Sequence, residues 1–486
     1  MNQAKLPELK NYVGGAFVPP TGLQGQHICD ANTARPLQTQ LGASLDQVEA
    51  ALASADNCYS NSDWERDTAS RIAVLEKAAA AVADPEVAEQ IAQVDALTCG
   101  VVIGATRKLA SMLPVLFGHA AQLLKDGKLE EIHPGPCGDV SYFRRPWGPA
   151  LLISPWNGPT PIGAHKLSSA IAAGAPALVK PSVWTPHSAL IITRLLHEAG
   201  MPNGAVSLIM GDRNAVRPLL NDPRVKSVSF TGGLGGGRAV AAACANEFKP
   251  MQLELGGNNA FVVLEGADLD VAAQAITFAL CNLNGQWCRA LGRVFVYKPL
   301  EARLLDKVLE NLANVRLGSS LDEQSEMGPQ AHQKQYEDVL RAIEMLEHKG
   351  GTAHAVTPLP ELGGYFVAPT IVTGCDPADT RDENFGPVAV MHTFETEAEA
   401  LRLANDAPFG LSGAVFGPEE VALKFAAEMR TGGVKVNGYS MLSLNGGLPR
   451  GAWELSGIGE EGGWESLQFF TGARVIGVSP QDKLGY

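Results

Sequence analysis

Three residues far apart in the sequence could together perform acyl chemistry: Cys288, Glu254 and Asn157. A cysteine thiolate is the strongest nucleophile among ordinary side chains. Glu254 lies among small or apolar residues, where desolvation raises a carboxyl pKa and suits the group to be a general base. Asn157 follows an apolar run, and its amide could donate to a developing oxyanion. Taken singly, they are better explained as a buried thiol, a solvated acid and a turn residue, but together they favour catalysis.

The segments that must position this chemistry are short apolar runs separated by longer amphipathic stretches. The first runs lie at 150–153, 177–179, 206–209, 225–230 and 260–264. Strands that are buried on both faces of a parallel sheet read as such continuous hydrophobic runs. The alternation starts again after 294–297, with further strands at 388–392, 413–416 and 433–436. The sequence therefore predicts an α/β fold with a doubly wound, Rossmann-type sheet and a second α/β domain.

A glycine-rich run, GGLGGGR at 232–238, follows the strand that ends in Phe230 and precedes an alanine-rich helix. Glycines allow a ligand close to the backbone, and a helix amino terminus favours an anionic pyrophosphate. The strict GxGxxG pattern is absent, and a flexible loop without a ligand explains the run about equally well. Lys180, at the end of a predicted strand, favours a dinucleotide because its ammonium can reach ribose hydroxyls or a phosphate.

Composition restricts the class of protein. The 486 residues exceed one hydrophobic core, so two or more domains are expected. The net charge of -14 argues against a nucleic-acid partner or an anionic membrane surface. The chain begins without a signal-peptide pattern and has no apolar run long enough to span a bilayer, so a cytoplasmic location is expected. Its eight scattered cysteines predict reduced thiols and no metal site.

The order of several motifs resembles the aldehyde dehydrogenase superfamily through nearly the whole chain. The matching motifs are Pro155-Trp156-Asn157, Lys180-Pro181-Ser182, Phe230-Thr231-Gly232, Glu254-Leu255-Gly256-Gly257, Gly285-Gln286-Trp287-Cys288, Glu383 with Phe385-Gly386-Pro387, and Ser456-Gly457. The resemblance implies that an aldehyde is oxidised to a carboxylic acid through a thiohemiacetal and a thioester on Cys288. It implies that Glu254 activates water and that NAD or NADP accepts the hydride.

The resemblance also implies a set of cofactor-binding residues. These are Ile153, Ser154, Pro155, Trp156, Lys180, Ser182, Val183, Gly211, Phe230, Thr231, Gly232, Gly233, Gly237, Leu255, Gly256, Glu383 and Phe385. Val183 departs from the family, which commonly has glutamate there to accept hydrogen bonds from the NAD 2′-hydroxyl and to repel a 2′-phosphate. We therefore expect NADP to be used at least comparably to NAD.

The aldehyde itself is less defined. Candidate substrate residues are Gly158, Ile162, His165, Trp287, Arg289 and Arg450. Two arginines near one thiol favour an anionic substrate, for example a semialdehyde whose carboxylate is bound bidentately. Alternatively, Arg289 turns away into a structural salt bridge, and Trp287 and Ile162 line an apolar or aromatic site.

The predicted domains are a dinucleotide-binding domain at 1–127 and 148–257 and a catalytic domain at 258–455. An oligomerisation arm at 128–147 and a tail at 456–486 complete the chain, and a homodimer or homotetramer is expected. Two other classes of protein fit the sequence less well. A cysteine hydrolase or esterase would leave Lys180, Glu383 and the glycine run unexplained, and a non-catalytic relative would be expected to lack the nucleophile or the base.

Overall fold

A computed structural model describes residues 6–440, 443–445 and 447–479. The predicted segments 1–127 and 456–486 thus extend beyond the described residues at 1–5 and 480–486. Helices α1 to α15, in chain order, are Leu45–Asn61, Thr68–Val82, Pro85–Cys99, Ile103–Ala110, Leu113–Lys125, Pro159–Ala173, His187–Glu198, Arg213–Asn221, Leu234–Ala245, Leu269–Cys281, Glu301–Ala313, Gln333–His348, Glu397–Ala404, Glu419–Glu428 and Gly463–Phe469.

Most of the strands belong to two large sheets. Strands β1 to β24, in chain order, are Asn11–Val13, Ala16–Val18, Gly22–Cys29, Pro36–Gly42, Glu130–Gly135, Gly138–Pro146, Ala150–Ile153, Ala177–Lys180, Val206–Leu208, Ser227–Thr231, Met251–Glu254, Asn259–Val263, Leu291–Tyr297, Thr352–His354, Thr370–Thr373, Val388–Phe394, Phe409–Gly410, Gly413–Phe416, Val434–Val436, Arg450–Gly451, Trp453–Glu454, Gly457–Ile458, Glu460–Glu461 and Thr471–Gly477. Among the helices of the described ranges, none combines the length and apolar character needed to cross a bilayer.

The first sheet has the strand order β2-β1-β9-β8-β7-β10-β11-β22, and its five central strands are parallel. Adjacent residues on β7 point to opposite faces: Leu151 packs in the core under α1, α8 and α9, and Leu152 packs under α2, α5, α6 and α7. Helices on both faces bury these strands completely, which explains their continuous apolar runs. The chain leaves β7 in one direction towards β8 and β9, and later returns on its other side as β10 and β11. The predicted doubly wound sheet is therefore confirmed, with a switch point between β7 and β10.

The second sheet has the order β14-β15-β16-β13-β12-β18-β19. All of its strands except β14 are parallel to one another. Its two faces are again distinguished by alternation: Phe261 on β12 packs with α10 and α11, and Val262 packs with α13 and α14. This sheet confirms the predicted second α/β unit.

The arm is a hairpin of β5 and β6, and β24 pairs with β6 to make a three-stranded sheet. The other described residues of the predicted tail segment, 456–486, lie elsewhere. Strand β22 pairs antiparallel with β11 at the edge of the first sheet, and α15 places Leu467 in the core of the first sheet. The described end of the chain is thus shared between the arm and the dinucleotide-type unit.

Candidate active site

The nucleophile loop is the segment 282–289 between α10 and β13, and its backbone is strained. Leu283 and Asn284 lie in the left-handed region with φ of 49° and 60°, and Gly285 follows at 70°. Each such residue other than glycine costs about 1–2 kcal/mol. A Cβ at Gly285 would lie 2.3 Å from the backbone nitrogen of Pro387. The loop therefore packs directly against the segment that precedes β16.

Buried amide side chains hold this strained loop. Asn284 Nδ2 donates to the carbonyls of Gly100 and Pro329, at 2.8 Å each. Gln286 Oε1 accepts a hydrogen bond from the backbone N–H of Ala331 at 2.8 Å. Buried hydrogen bonds of this kind contribute about 1 kcal/mol each, and leaving one unmade costs more, so together they can offset the backbone strain.

Cys288 is half-buried at the end of this loop. Its backbone carbonyl accepts a hydrogen bond from Asn259 Nδ2 at 2.9 Å. Burial raises the pKa of the Cys288 thiol to about 12, although Arg289 nearby acts in the opposite direction. The resting group is therefore a thiol at neutral pH and must lose its proton before it attacks.

Asn157 joins the first sheet to the nucleophile loop. It lies between the end of β7 and the start of α6 and is 7% exposed. Its Nδ2 donates to the carbonyl of Gln286 at 2.8 Å. This bond fixes the amide next to the peptide that precedes Trp287-Cys288, so the predicted nucleophile and oxyanion donor are brought together.

Glu254 is the last residue of β11 and is 6% exposed. Its Oε1 is buried without a hydrogen-bond partner among the described residues. Burial raises the pKa of this carboxyl, the negative charge of Glu461 raises it further, and Arg289 opposes the rise. The negative charge of Glu254 also raises the pKa of the Cys288 thiol, so the two groups interact electrostatically.

A buried polar network lies behind Glu254. Lys166 on α6 is 1% exposed, and its Nζ lies 2.7 Å from Ser229 Oγ and 3.3 Å from Glu461 Oε1. Ser229 Oγ in turn donates to Gln252 Oε1 at 2.9 Å. Because Lys166 and Glu461 both act on the pKa of Glu254, this network belongs to the candidate active site.

The carboxyl ends of four parallel strands form the predicted dinucleotide edge. Ile153 is opposite both Lys180 and Phe230 in the register, and Thr231 is opposite Glu254. Burial lowers the pKa of Lys180 to about 8. Most of the remaining predicted cofactor residues of this unit follow these same strand ends: Ser154, Pro155, Trp156, Ser182, Val183, Gly232, Gly233, Leu255 and Gly256. Gly211 follows the neighbouring strand β9, and Gly237 lies in the first turn of α9.

The amino terminus of α9 fits an anionic group. No side chain caps this helix, and a Cβ built at its N-cap, Gly233, meets no atom within 4 Å. The aromatic ring of Phe230 packs against Gly232 and Gly236 beside it. Free space at an uncapped helix amino terminus, at a topological switch point, is the arrangement that accepts a dinucleotide pyrophosphate.

Glu383 and Phe385 come from the second unit and face the same edge. Glu383 Oε1 accepts a hydrogen bond from the backbone N–H of Gly257 at 2.9 Å, and burial raises its pKa to about 7. A Cβ at Gly256 would lie 1.9 Å from Glu383 Oε2, so a larger residue there would displace this carboxylate. The Phe385 ring meets Trp156 edge-on with 5.5 Å between centroids. The structure thus brings these two predicted residues to the edge of the first sheet.

The candidate substrate residues lie on different elements of the fold. Gly158 and Ile162 lie at the start of α6 after Asn157, and His165 Nε2 lies 2.7 Å from Ser466 Oγ on α15. Burial lowers the pKa of His165.

The side chain of Arg289 makes a hydrogen bond to a backbone carbonyl. Arg289 is 9% exposed and donates through Nη1 to the carbonyl of Leu411 at 3.2 Å. It forms no ion pair with an acid in the described part of the chain. The Trp287 ring packs against Tyr439 with 5.8 Å between centroids, and Arg450 lies on β20 opposite Glu461 on β23.

A thiol and a buried carboxyl beside the switch point of a doubly wound sheet define a thiol-dependent oxidoreductase. Comparison with known proteins supports this class and specifies it. The model of the aldehyde dehydrogenase family matches residues 17–476. Geranial dehydrogenase from Castellaniella defragrans is 32% identical over 462 residues, which cover 94% of this chain and 96% of that protein. Human (Homo sapiens) 4-trimethylaminobutyraldehyde dehydrogenase is 30% identical over 484 residues, covering 97% of each chain.

Solved structures agree. A crystal structure of betaine aldehyde dehydrogenase from Staphylococcus aureus in complex with NAD+ aligns with a TM-score of 0.92 at 26% identity, covering 100% of this chain and 98% of that one. The chain therefore belongs to the aldehyde dehydrogenase family and is an aldehyde-oxidising enzyme, which confirms the predicted family and fold.

Sequence analysis missed three charged residues near the site: the buried Lys166 and Lys435 and the half-buried Glu461. A signal for two of them was present. Lys166 is an isolated charge in the apolar helix α6, and Lys435 stands between two valines in β19. A charge inside an apolar element is rarely buried without a partner or a ligand.

Proposed function

We propose that this enzyme oxidises an aldehyde to the free carboxylic acid with NAD or NADP as the hydride acceptor, using Cys288, Asn157 and Glu254. The observation that carries the proposal is the 2.8 Å hydrogen bond from Asn157 to the Gln286 carbonyl. It attaches the nucleophile loop to the carboxyl edge of the dinucleotide-type sheet, and Glu254 ends a strand of that same edge. The thiol and the cofactor cradle therefore form one site.

The cofactor would be held by groups from both units. Lys180 would contact the adenosine ribose, the amino terminus of α9 the pyrophosphate, and Glu383 and Phe385 the nicotinamide end. The NAD+ complex of the Staphylococcus aureus relative supports this assignment. When bound, the nicotinamide supplies hydride acceptance, the oxidising step of the reaction. The remaining tasks belong to the residues of the chain.

Cys288 forms the covalent bond to the substrate. The thiol gives its proton to solvent, the thiolate sulfur adds to the aldehyde carbon, and the carbonyl oxygen takes up the negative charge. The Asn157 amide and the Cys288 backbone N–H donate to that oxygen, and such preorganised donors are worth roughly 3–4 kcal/mol in related acyl chemistry. Loss of hydride from the same carbon leaves a thioester on Cys288.

Glu254 then releases the product. Its raised pKa makes its ionised form a stronger base than an exposed glutamate, and this form takes a proton from water. The resulting hydroxide adds to the thioester carbon, the carbon–sulfur bond breaks, and the acid leaves Cys288 as a thiolate. The Lys166–Glu461 ion pair lies behind this carboxyl, and both of its charges act on the pKa of Glu254.

For the choice of cofactor, we infer that NADP is used at least comparably to NAD. Val183 follows Ser182 beyond the end of β8 and is half-buried, and it offers no carboxylate to a ribose hydroxyl. Steady-state kinetics with both cofactors test this inference, and a strong preference for NAD would contradict it.

We also propose a homodimer or homotetramer in the cytoplasm. Ile132 on β5 and Val475 and Ile476 on β24 are 72%, 66% and 56% exposed, an unusual density of apolar side chains for a free surface. All eight cysteines are free thiols, as in a reducing compartment. The division into domains at 1–127 with 148–257, 258–455, and 128–147 with 456–486 remains part of this proposal.

The function is tested by replacing the nucleophile. Cys288→Ala should form no NAD(P)H from an aldehyde that the parent oxidises, while cofactor binding, followed by fluorescence quenching, persists. The matched control is Cys244→Ala, since Cys244 is buried in the first unit away from the site. A Cys288→Ala protein that forms NAD(P)H at the parent rate would end this account.

A further inference from the structure

Lys435 is a buried lysine that has no counter-charge among the described residues. It lies in β19, is 1% exposed, and its Nζ has no hydrogen-bond partner among the described residues. Its contact is a cation–π interaction, with Nζ 4.1 Å from the centroid of the Tyr439 ring. Burying an unpaired ammonium is costly, and a cation–π contact returns only part of that cost. The protein therefore retains this charge at a net cost in stability.

The register of the second sheet points Lys435 towards the nucleophile loop. Lys435 is opposite Ala414 on β18, which packs in the same core as Trp287 and Tyr439. The Tyr439 hydroxyl donates to the backbone carbonyl of Arg289, the residue after Cys288. One aromatic ring thus separates the ammonium from the backbone that carries the nucleophile.

Two guanidinium groups share this region. Burial, together with the positive charges of Arg289 and Arg450, lowers the pKa of Lys435 to about 8. Arg289 donates to a carbonyl and to no acid in the described ranges. Arg450 leaves its buried Nε without a partner in the same ranges. Lys435, Arg289 and Arg450 therefore form a group of cations, here called the cation cluster.

The carboxylates nearby do not balance the cation cluster. Glu461 forms an ion pair with Lys166 and also attracts Arg450, so its single negative charge is shared, and Glu254 has a raised pKa that favours its neutral form. The positive charge of the cation cluster is therefore left for a ligand. An anion that binds at the cation cluster would offset the free-energy cost of burying these positive charges.

We propose that the cation cluster binds the carboxylate of the aldehyde substrate, so that this enzyme is selective for aldehydes that carry a second, negatively charged end. The inference rests on the proposed function, because it places the aldehyde carbon at Cys288. Lys435 is the specificity-determining residue, and Arg289 and Arg450 supply planar donors that suit a carboxylate. A trimethylammonium aldehyde, such as the substrate named for the human relative, would be repelled.

The test is a panel of matched aldehydes: 4-oxobutanoate, butanal and 4-trimethylaminobutanal. The parent should show a kcat/KM for 4-oxobutanoate that exceeds that for butanal by on the order of 10- to 100-fold, as expected for a buried charge-assisted contact. Lys435→Met keeps the length of the side chain without its charge and should lower that ratio by about tenfold or more. Lys435→Arg should preserve most of the ratio.

A control and a binding measurement make the result independent of turnover. Lys424→Met removes an exposed lysine on α14, which packs on the opposite face of the same sheet, and should leave the ratio unchanged. Succinate should raise the Tm of the parent more than succinamide does, and should compete with butanal. Both effects should be lost in Lys435→Met.

The outcomes separate the two proposals. If the parent oxidises butanal as well as 4-oxobutanoate, or if Lys435→Met leaves their ratio unchanged, the cation cluster does not read a carboxylate and the aldehyde dehydrogenase function stands. If no aldehyde yields NAD(P)H, the proposed function fails, and the Tm shift by succinate still decides whether the cation cluster binds an anion. If Lys435→Met does not fold, the parent ratio and the Lys435→Arg ratio decide.

Discussion

Replacing the general base should separate the two halves of the reaction. In Glu254→Gln the new side chain has nearly the same volume and occupies a site that is 6% exposed, so packing changes little. The amide cannot take a proton from water. Acylation of Cys288 should continue and hydrolysis of the thioester should slow.

The magnitude follows from the site. A positioned general base contributes about 10²- to 10⁴-fold, so we expect steady-state turnover to fall by that factor. Rapid mixing should show a burst of reduced cofactor approaching one equivalent per active site, followed by the slow phase. In the parent, hydrolysis should accelerate as pH rises through the raised pKa of Glu254, and this dependence should be absent in the variant.

Loss of the burst together with turnover would refute this assignment. Glu254 would then act before the thioester forms, in removing the proton from Cys288, whose thiol pKa of about 12 requires a base in any case. Circular dichroism and the Tm of the variant exclude misfolding as the cause. The Tm of the variant should not fall below that of the parent. Burial disfavours the ionised form of the Glu254 carboxyl, and glutamine has no ionised form to bury.

Three further outcomes are expected. Val183→Glu should shift the ratio of kcat/KM values towards NAD, and equal ratios before and after would show that Val183 does not face the ribose. Burial raises the pKa of Asp95 from 3.8 to about 7, so the stability that its protonated form provides is present below pH 4 and is lost as pH rises through 7. Asp95→Asn should therefore reduce the loss of unfolding free energy between pH 5 and pH 8, a loss on the order of a few kcal/mol, in urea titrations. Val475→Lys on β24 should shift light scattering towards a 51.3 kDa monomer while dinucleotide binding persists, and an unchanged assembly would remove β24 from the interface.

The sequence predicted the parallel strands well because local composition alone marks them. The apolar run at 150–153 is β7 itself, and the run at 177–179 is β8 without its final residue, Lys180. The ends of these runs also located Asn157 and Lys180, because residues after a parallel strand lie at the same edge of the sheet.

The electrostatic surroundings could not be predicted in the same way. Lys166 and Glu461 are 295 residues apart, and no periodicity in either segment encodes their contact. Arg450 meets Glu461 only because β20 and β23 pair, and strands of two residues leave no hydrophobic pattern to detect. The assignment of Arg289 to a salt bridge or to the site likewise depended on Leu411, far along the chain.

The pairing of β22 with β11 has a consequence for how the enzyme is made. Gly457 lies opposite Glu254, and the N–H of Leu255 donates to the carbonyl of Ser456 at 2.8 Å. Strand β11, which ends in Glu254, therefore has as its edge partner a segment that comes much later in the chain. Protein synthesis proceeds from the amino terminus, and earlier domains fold first. Cys288 and most of the cofactor cradle therefore leave the ribosome well before the edge strand that completes the strand of Glu254. A nascent or clipped chain that lacks this segment carries its nucleophile and most of its cradle but lacks the strand beside its base, so we expect it to be inactive until that strand has been made.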